Sequence, residues 1–184
     1  SKIIFCGNKA YDKDTLKEKI ETKEKATWRL FGKEASIFGF EKTRIDADAL
    51  NRFYKDEGYY DFKTEKIIPE LDFNKKNMYL TVMLHEGVRF KINNVKIDSK
   101  TSTISTKDLK TKLSLASGDW YSSTMIEVNK MKILEELSKR GKVFVDVKYD
   151  LKVDRKNNTI DVVYTIFDTP RMYIERIEIE GNNK

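Results

Sequence analysis

Few side chains in this sequence have the type and spacing that catalysis or metal binding requires. Cys6 is the single cysteine and His85 the single histidine. This excludes a disulfide framework, a zinc site built from several cysteines and a Cys/His cluster. Asp46 and Asp48 are a carboxylate pair of the kind used in acid–base chemistry, but residues two apart on a helix do not face each other, and we interpret both as first-turn partners of a helix dipole. We expect no catalytic residue, no metal, no cofactor and no enzymatic activity.

Composition narrows the function further. The chain has 184 residues, of which 39% are hydrophobic, enough for one mid-sized domain or two small ones. Its 36 basic and 30 acidic residues leave a formal charge of +6. Because acids and bases alternate, this pattern favours a mixed, solvated surface and no nucleic-acid partner. The alternative, a basic tandem module that binds RNA or DNA, requires the lysines to converge on one face.

An internal repeat determines the domain organisation. The stretch "ALNRFYKDEGYYDF" aligns with "KILEELSKRGKVFV", which pairs Gly58 with Gly141. Further along, "NMYLTVMLHEGVRFKINNVKI" aligns with "TIDVVYTIFDTPRMYIERIEI" and pairs Arg89 with Arg171. The apolar alternation before Gly7-Asn8 returns before Gly181-Asn182. We therefore predict one module over 1–88, a second over 89–172, and the first strand of another over 173–184.

Each module is predicted to contain a strand, two helices and two further strands, an α+β arrangement. Asp12 takes an N-cap position in the first module, and Ser105 with Asp108 has the spacing of a capping box in the second. The second helix of module one carries Ile45, Ala49 and Phe53 at four-residue steps, with Leu50 and Tyr54 beside them. Gly58 is a natural end for this helix.

The strands predict a mixed three-stranded sheet in each module. Apolar residues alternate with charged ones from Val145 to Val153, as in a half-buried strand, whereas "TIDVVYTIF" is apolar on both faces. The third strand is therefore expected in the centre and the second at a charged edge. A hairpin makes these two strands antiparallel and the helical crossover makes the first and third parallel, so both helices cover one face.

The sharpest site in the sequence is the backbone edge of the second strand in module one, "FKTEKIIPEL". Pro69 cannot donate to a ladder, which fits an edge. Comparison with the second module leaves one extra residue, which predicts a bulge near Ile67-Ile68 or a longer turn. Such an edge can accept a strand from a partner, with main-chain hydrogen bonds supplying affinity. The alternative is that Lys63, Lys66 and the flanking acids prevent edge pairing altogether.

These features together resemble the POTRA family. The resemblance covers essentially the whole chain and is most specific at Gly58-Tyr59-Tyr60 with Phe62, at Glu86-Gly87 and at the two strand-Gly-Asn segments. The order resembles the third and fourth POTRA units of BamA-type outer-membrane assembly factors, followed by the first strand of the fifth. The chain departs from the pattern at Ile97-Asp98-Ser99-Lys100 and at Asp168-Thr169-Pro170, which leaves the loop geometry there open.

The resemblance implies a periplasmic scaffold of a Gram-negative outer-membrane protein. Its partners would be unfolded outer-membrane proteins, accessory lipoproteins of the assembly complex and the protein's own C-terminal membrane barrel. The alternative within the same fold is the POTRA region of a secretion or translocation transporter that recognises an exported substrate. The predicted strand-edge residues for partner binding are Phe62, Lys63, Thr64, Glu65, Lys66, Ile67 and Ile68.

Two further regions carry predictions. The interhelical stretch "KATWRLFGKEASIFGF" is too apolar for a solvated loop, so Trp28, Phe31 and Phe38 either form a partner surface or fold back onto the helix pair, the commoner outcome. The joint between modules is predicted at Glu86, Gly87, Val88 and Arg89, and its short length predicts restricted bending. Trp120 and Tyr121 are expected to pack against the neighbouring module or a strand.

Overall fold

The computed structural model describes residues 2–22, 36–71, 78–100 and 104–169, with the backbone alone at 36–41, 71 and 78. The described elements form two modules. Module 1 contains β1 Lys2–Cys6, α1 Lys13–Lys19, α2 Ser36–Asp56, β2 Lys63–Leu71 and β3 Met78–His85. Module 2 contains β4 Lys91–Ser99, α3 Lys107–Lys110, α4 Ser123–Lys139, β5 Val145–Asp154 and β6 Thr159–Asp168.

Both sheets have the predicted order and directions. The third strand lies in the centre, as β1-β3-β2 in module 1 and β4-β6-β5 in module 2. In each sheet the first strand runs parallel to the central one and the second runs antiparallel to it. The α+β fold of two mixed three-stranded sheets with helices is therefore confirmed, and among the described strands β2 and β5 lie at the sheet edges.

The extra residue in β2 lies earlier than predicted. Thr64 pairs with Leu84 and Lys66 with Met83, so the bulge is at Glu65 and not near Ile67-Ile68. Residue counting detects an insertion between two aligned points but does not locate it. The alternative expectation of a longer connection also agrees with the pairing, because six residues separate the paired Leu71 and Met78, against four between Asp154 and Thr159.

Local signals set one helix start correctly and miss another. The Asp12 side chain caps α1 by accepting the Thr15 amide at 2.8 Å, as predicted. The capping box predicted at Ser105 and Asp108 is absent: α3 is a single turn whose N-cap, Thr106, makes no side-chain cap bond. A helix this short gains its stability from packing, since nucleation without propagation is unfavourable.

The faces of α2 also differ from expectation. Ile45 is 41% exposed, whereas Leu50 and Tyr54 are fully buried against the sheet, together with Asp46. Asp46 does not occupy a first turn, because α2 begins at Ser36. Its carboxylate instead accepts the backbone amides of Glu21 at 2.8 Å and of Thr22 at 3.2 Å, which ties the end of α1 to α2.

Each module has its own core. In module 2 the inward residues of β6, predicted from alternation, are all fully buried with Val147 of β5; these β6 residues are Ile160, Val162, Tyr164 and Ile166. In module 1 the core joins β1 and β3 to α1 and α2. The described part of the chain contains no helix whose length and hydropathy would let it cross a membrane.

Candidate partner-binding surfaces

The edge of β2 offers fewer free backbone groups than the sequence predicts. Phe62 precedes the strand, is 3% exposed and stacks on Tyr54 with ring centroids 3.9 Å apart, so it anchors the core. The Thr64 amide donates to Asn51 Oδ1 of α2 at 3.3 Å. Two of the predicted edge residues are therefore already engaged within module 1.

The direction of the remaining amides follows from Pro69. A proline in an edge strand places its nitrogen on the side away from the ladder. Since alternate residues of a strand point the same way, we infer that Ile67 and Leu71 also direct their amides outward, whereas Lys66 and Ile68 bond to β3. On the described edge, Pro69 thus separates the outward amides of Ile67 and Leu71 and supplies none itself.

A groove runs beside this edge, between α2 and β2. Its volume is about 230 Å³ and it is open to solvent. The helix side is lined by Thr43, Arg44 and Ala47, and the strand side by Thr64, Glu65, Lys66 and Ile67. The bulge at Glu65 therefore lies at a helix–strand groove, an arrangement in which PDZ and PTB domains add a peptide strand.

The edge of β5 is longer and uninterrupted. All ten residues pair with β6 without a bulge, and none is proline. The Thr169 amide donates to the Phe144 carbonyl at 2.9 Å, which identifies this as a hydrogen-bonded pair and fixes the alternation along the strand. Residues of odd number from Val145 to Val153 consequently direct their amides outward. The Val147 amide, held by its neighbour Asp146 Oδ1 at 2.7 Å, agrees with this direction.

Three consecutive outward amides on β5, those of Tyr149, Leu151 and Val153, therefore have no partner in the part of the chain that the structure describes. A helix–strand groove lies beside this edge as well, with a volume of about 730 Å³. Val128, Met131 and Tyr149 give it an apolar lining, and Met131 is 61% exposed. Arg52 of module 1, Glu127, Lys132 and Glu135 add two positive and two negative charges to the lining. The second groove is nevertheless larger and more apolar than the first.

Sequence reasoning missed this second groove, although a signal was present. Val128 and Met131 lie outside the buried stripe of α4, which is Ile126, Asn129, Ile133 and Leu137. Apolar side chains in excess of the core stripe are the feature that reveals a binding face on a helix.

The residues of the predicted joint lie where the two modules meet, and they make different contacts. Glu86 is 8% exposed and accepts the Lys9 and Ala10 amides at 2.9 and 3.1 Å and the Tyr54 hydroxyl at 2.8 Å. All these partners belong to module 1. Glu86 thus holds the loop after β1 in place within module 1.

The rest of the joint contacts module 1, and Arg89 also reaches module 2. Gly87 has a φ of +70° beside Asp61, and Val88 is 49% exposed. Arg89 donates to the carbonyl of Glu57, lies 3.4 Å from its carboxylate, and stacks on Trp120 with the guanidinium carbon 4.1 Å from the ring centroid.

A group of hydrogen bonds at the end of α2 links the two modules and was not predicted. The carboxylate of Asp56, the last residue of α2, accepts the hydroxyls of Ser122, Ser123 and Thr124 at 3.0, 2.9 and 2.6 Å and the Thr124 amide at 2.8 Å. It therefore sits at the N-terminus of α4, where a negative charge is favourable. Burial opposes the ionisation of Asp56, but the hydrogen bonds from Thr124, Ser123 and Ser122 outweigh it and lower its pKa.

Aromatic packing accompanies these hydrogen bonds of Asp56 to Ser122, Ser123 and Thr124, which we call the Asp56 clamp. Tyr60 meets Tyr121 and Phe90 edge-on, with ring centroids 5.3 and 5.9 Å apart, and Tyr121 is 4% exposed. The expectation that Tyr121 and Trp120 pack against the neighbouring module or a strand is confirmed, since Trp120 also bridges to Lys91 of β4.

Comparison with known proteins decides the family. The model of the POTRA family, described as a surface antigen variable number repeat, matches residues 1–87 and 90–167. The chain belongs to the POTRA family. Each described sheet module coincides with one of the two matched POTRA segments.

Full-length relatives of this POTRA chain are much longer. It is 32% identical over 182 residues to the outer membrane protein assembly factor BamA of Neorickettsia risticii, covering 99% of this chain and 24% of the relative. It is 24% identical over 182 residues to BamA of Neisseria meningitidis, with 99% and 23% covered. The chain therefore spans about a quarter of the length of these relatives.

A solved structure shares the fold. The crystal structure of Haemophilus influenzae BamA POTRA3-5 superposes with a TM-score of 0.72 at 21% sequence identity, covering 98% of this chain and 70% of that one. This structure confirms the fold, and together with the family match and the BamA relatives the predicted resemblance to POTRA modules of BamA is confirmed.

Several predicted residues of the POTRA chain lie outside the described part. Trp28 and Phe31 fall there, and for Phe38, within α2, the backbone alone is described. The first strand predicted at 173–184 also lies outside. Among the described residues, no group of three or more His, Cys, Asp and Glu side chains is placed to hold a metal ion.

Proposed function

We propose that this chain is part of the periplasmic POTRA region of a BamA-type outer-membrane protein assembly factor, and that it binds unfolded outer-membrane proteins by strand augmentation. The names of its relatives support the assembly role. The observation that carries the binding mode is the pair of edge strands, each open on one side and each beside a helix–strand groove. The protein acts by binding and not by turnover.

The two edges contribute unequally to this function. On β5 three free amides alternate with inward-bonded residues, so an added strand can form a ladder of several hydrogen bonds, each contributing about 0.5–1.5 kcal/mol net. On β2 the donor at Thr64 is occupied and Pro69 has none. We therefore assign the stronger strand acceptor to module 2, with the predicted β2 edge, Lys63 to Ile68, as a shorter second site.

The grooves add side-chain selectivity. An added strand places alternate side chains toward the helix side, where Val128, Met131 and Tyr149 accept apolar groups. Methionine adapts to different partner shapes, which suits a scaffold that receives many sequences. A client strand with one apolar face, as in a membrane barrel, fits this arrangement. Accessory lipoproteins and the protein's own membrane barrel are the other partners that the BamA-type role assigns to the region.

The test is a titration of the isotopically labelled chain with peptides that match single strands of outer-membrane barrels. We expect the amide signals of Tyr149, Leu151 and Val153 to shift. Leu151→Pro removes the central outward amide and abolishes these shifts. Leu151→Ala trims the side chain but keeps the amide, and therefore retains them.

A second variant tests the same reasoning in the opposite direction. Pro69→Val adds an outward donor to the β2 edge, so shifts at residues 66–70 should strengthen. If Leu151→Ala and Leu151→Pro lose binding equally, side-chain packing and not edge pairing carries the interaction. If neither edge responds to any strand peptide, the charged residues along the edges act as a barrier, and the region is a spacer within the assembly factor.

A further inference from the structure

The open face of the module 1 sheet, the face not covered by α1 and α2, brings together three side chains of a kind that binds soft metal ions. On the covered face, Val82 and Leu84 of β3 are buried in the core. Because side chains alternate along a strand, Met83 and His85 lie on the open face. Cys6, the last residue of β1, pairs with Met83, and paired residues of neighbouring strands share a face. A thiol, a thioether and an imidazole therefore lie side by side.

All three side chains are accessible. Cys6 is a free, exposed cysteine, Met83 is 37% exposed, and His85 is exposed as well. Within the described part of the chain, none of the three side chains has a hydrogen bond or an ion pair. The thiol, the thioether and the imidazole are thus available to coordinate an ion without first losing a partner.

The loop that follows β1 turns away from this face. Gly7 has a φ of +93°, and the amides of Lys9 and Ala10 bond to the Glu86 carboxylate at 2.9 and 3.1 Å. Glu86 is buried and also accepts the hydroxyl of Tyr54 in α2, so the loop crosses on the helix side of the sheet. The described loop therefore leaves the space above the three side chains open to a ligand.

The spacing of the three residues suits a single ion. Neighbouring strands, here those of Cys6 and Met83, lie about 4.7–4.9 Å apart, and residues two apart on one strand, here Met83 and His85, are separated by about 6.4–6.8 Å. Bonds from a zinc-sized ion to sulfur and nitrogen are about 2.0–2.3 Å long, so ligand atoms must come within about 4–4.6 Å of each other. Methionine can close this gap, because its rotatable bonds let the sulfur move toward either neighbour. Met83 lies between the other two ligands and can share an ion with both.

The donor set and the local charge select the metal. Protein zinc sites use Cys, His, Asp and Glu, whereas a thioether beside thiolate and imidazole suits copper. Lys63 and Lys66 of β2 pair with His85 and Met83 and share their face, with Glu65 in the bulge between the lysines. This leaves a net positive charge beside the site. A thiolate with a monovalent ion is neutral, whereas a divalent ion adds a positive charge that the lysines repel, so the site favours Cu(I) over Zn(II).

We propose that Cys6, Met83 and His85 form a binding site for one Cu(I) ion on the open face of module 1. The site departs from the sequence-based expectation that the chain holds no metal. Counting cysteines and histidines did not reveal it, because the third ligand is a methionine and because the pairing of β1 with β3 is what brings the three together. Since it uses side chains of β1 and β3, the site is independent of the edges of β2 and β5.

The test is an anaerobic titration of the 184-residue chain with Cu(I), in competition with the chromogenic chelator bicinchoninate. We expect a single Cu(I) per chain, with sulfur and nitrogen neighbours in its X-ray absorption spectrum. Cys6→Ser, Met83→Leu and His85→Gln should each weaken binding by about tenfold or more, since changing even an outer hydrogen-bond partner of a metal ligand costs about that much. Met131→Leu, which removes an exposed methionine of module 2, is the matched control and should leave the affinity unchanged.

The fold of the variants has its own check. All three positions are exposed, so each variant should keep the thermal unfolding midpoint of the parent chain. Alkylation of Cys6 with iodoacetamide in the folded parent chain blocks the thiol without a substitution, and it should abolish binding.

Several results overturn the proposal. If Cys6→Ser loses the ion while Met83→Leu and His85→Gln keep the parent affinity, an isolated thiol binds the copper. If Cu(I) makes the chain dimerise in size-exclusion chromatography, the ion is shared by the cysteines of two chains. Zn(II) binding as tight as that of Cu(I) refutes the assignment of the metal. No strand peptide is present in these assays, so their failure leaves the strand-augmentation proposal untouched.

Discussion

The Asp56 clamp predicts that one carboxylate couples the two modules. Replacing Asp56 with alanine removes the acceptor of the hydrogen bonds from Ser122, Ser123 and Thr124. The Ser122 hydroxyl still caps α4, since it accepts the Met125 amide at 3.1 Å. The helix therefore keeps its own cap, and the variant removes the contribution that comes from module 1.

The magnitude follows from the type of contact. A carboxylate that accepts a helix N-terminal amide contributes about 0.5–2 kcal/mol, and its interaction with the dipole about 0.3–1 kcal/mol. Together these two contributions amount to about 0.8–3 kcal/mol. Because Asp56 is partly exposed, solvent screens it, and we take a value below the middle of the combined range. We expect Asp56→Ala to lower the free energy of unfolding of module 2 by about 1.5 kcal/mol.

The assay is equilibrium unfolding in guanidinium chloride, followed by the fluorescence of Trp120. The chain has two tryptophans, so Trp28→Phe isolates this signal, which originates at the junction. A lower midpoint with an unchanged slope is the expected result. Asp48→Ala removes an exposed acid from the same helix and should change the free energy of unfolding by less than about 0.5 kcal/mol.

Acid provides an independent check with a defined sign. The pKa of Asp56 is lowered in the folded protein from its ordinary value of 3.8, so its contribution is present above that value and is lost as the pH falls through the lowered pKa. The difference in stability between the parent and Asp56→Asn should therefore shrink below about pH 4. If Asp56→Ala and Asp48→Ala are equivalent at neutral pH, the clamp does not couple the modules and the reasoning is refuted.

Two further predictions concern the interior of module 1 and its loops. Gly7 and Gly118 share a φ of +93°. A Cβ on Gly7 would lie 2.1 Å from the Leu84 carbonyl oxygen, whereas a Cβ on Gly118 would have no described atom beyond its chain neighbours within 4 Å. Gly7→Ala should therefore cost about 2 kcal/mol more than Gly118→Ala in thermal or denaturant unfolding, and equal costs would show that φ alone decides. Glu86→Gln turns an amide donor toward buried donors and should lower the free energy of unfolding by about 2–3 kcal/mol in the same measurement. The exposed Glu70→Gln is the control and should cost less than about 0.5 kcal/mol. If Glu86→Gln has no effect on stability, the loop after β1 does not depend on this carboxylate.

The sequence by itself determined those features that depend on short-range patterns. The alternation of "TIDVVYTIF" places Ile160 and Val162 in the core, and Asp12 begins α1 at the predicted residue. The repeat, with its turns at Gly58 and Gly141, determines the two-module organisation of elements. These features were predictable because strand pleat, helix capping and positive-φ turns are local properties of the backbone.

Only the tertiary structure decided which face of α2 is buried, which strand edge is open and which residues join the two modules. Adjacent apolar stripes on α2 are equivalent in sequence, and packing on the sheet selected Leu50 and Tyr54 over Ile45. Sequence alternation distinguishes the two faces of a strand but does not show which amides point outward, so the open edge of β5 emerged from the Thr169–Phe144 bond. The Asp56 clamp joins residues 66 to 68 positions apart. Such contacts produce no periodic pattern in the sequence, because they join the surfaces of two different modules.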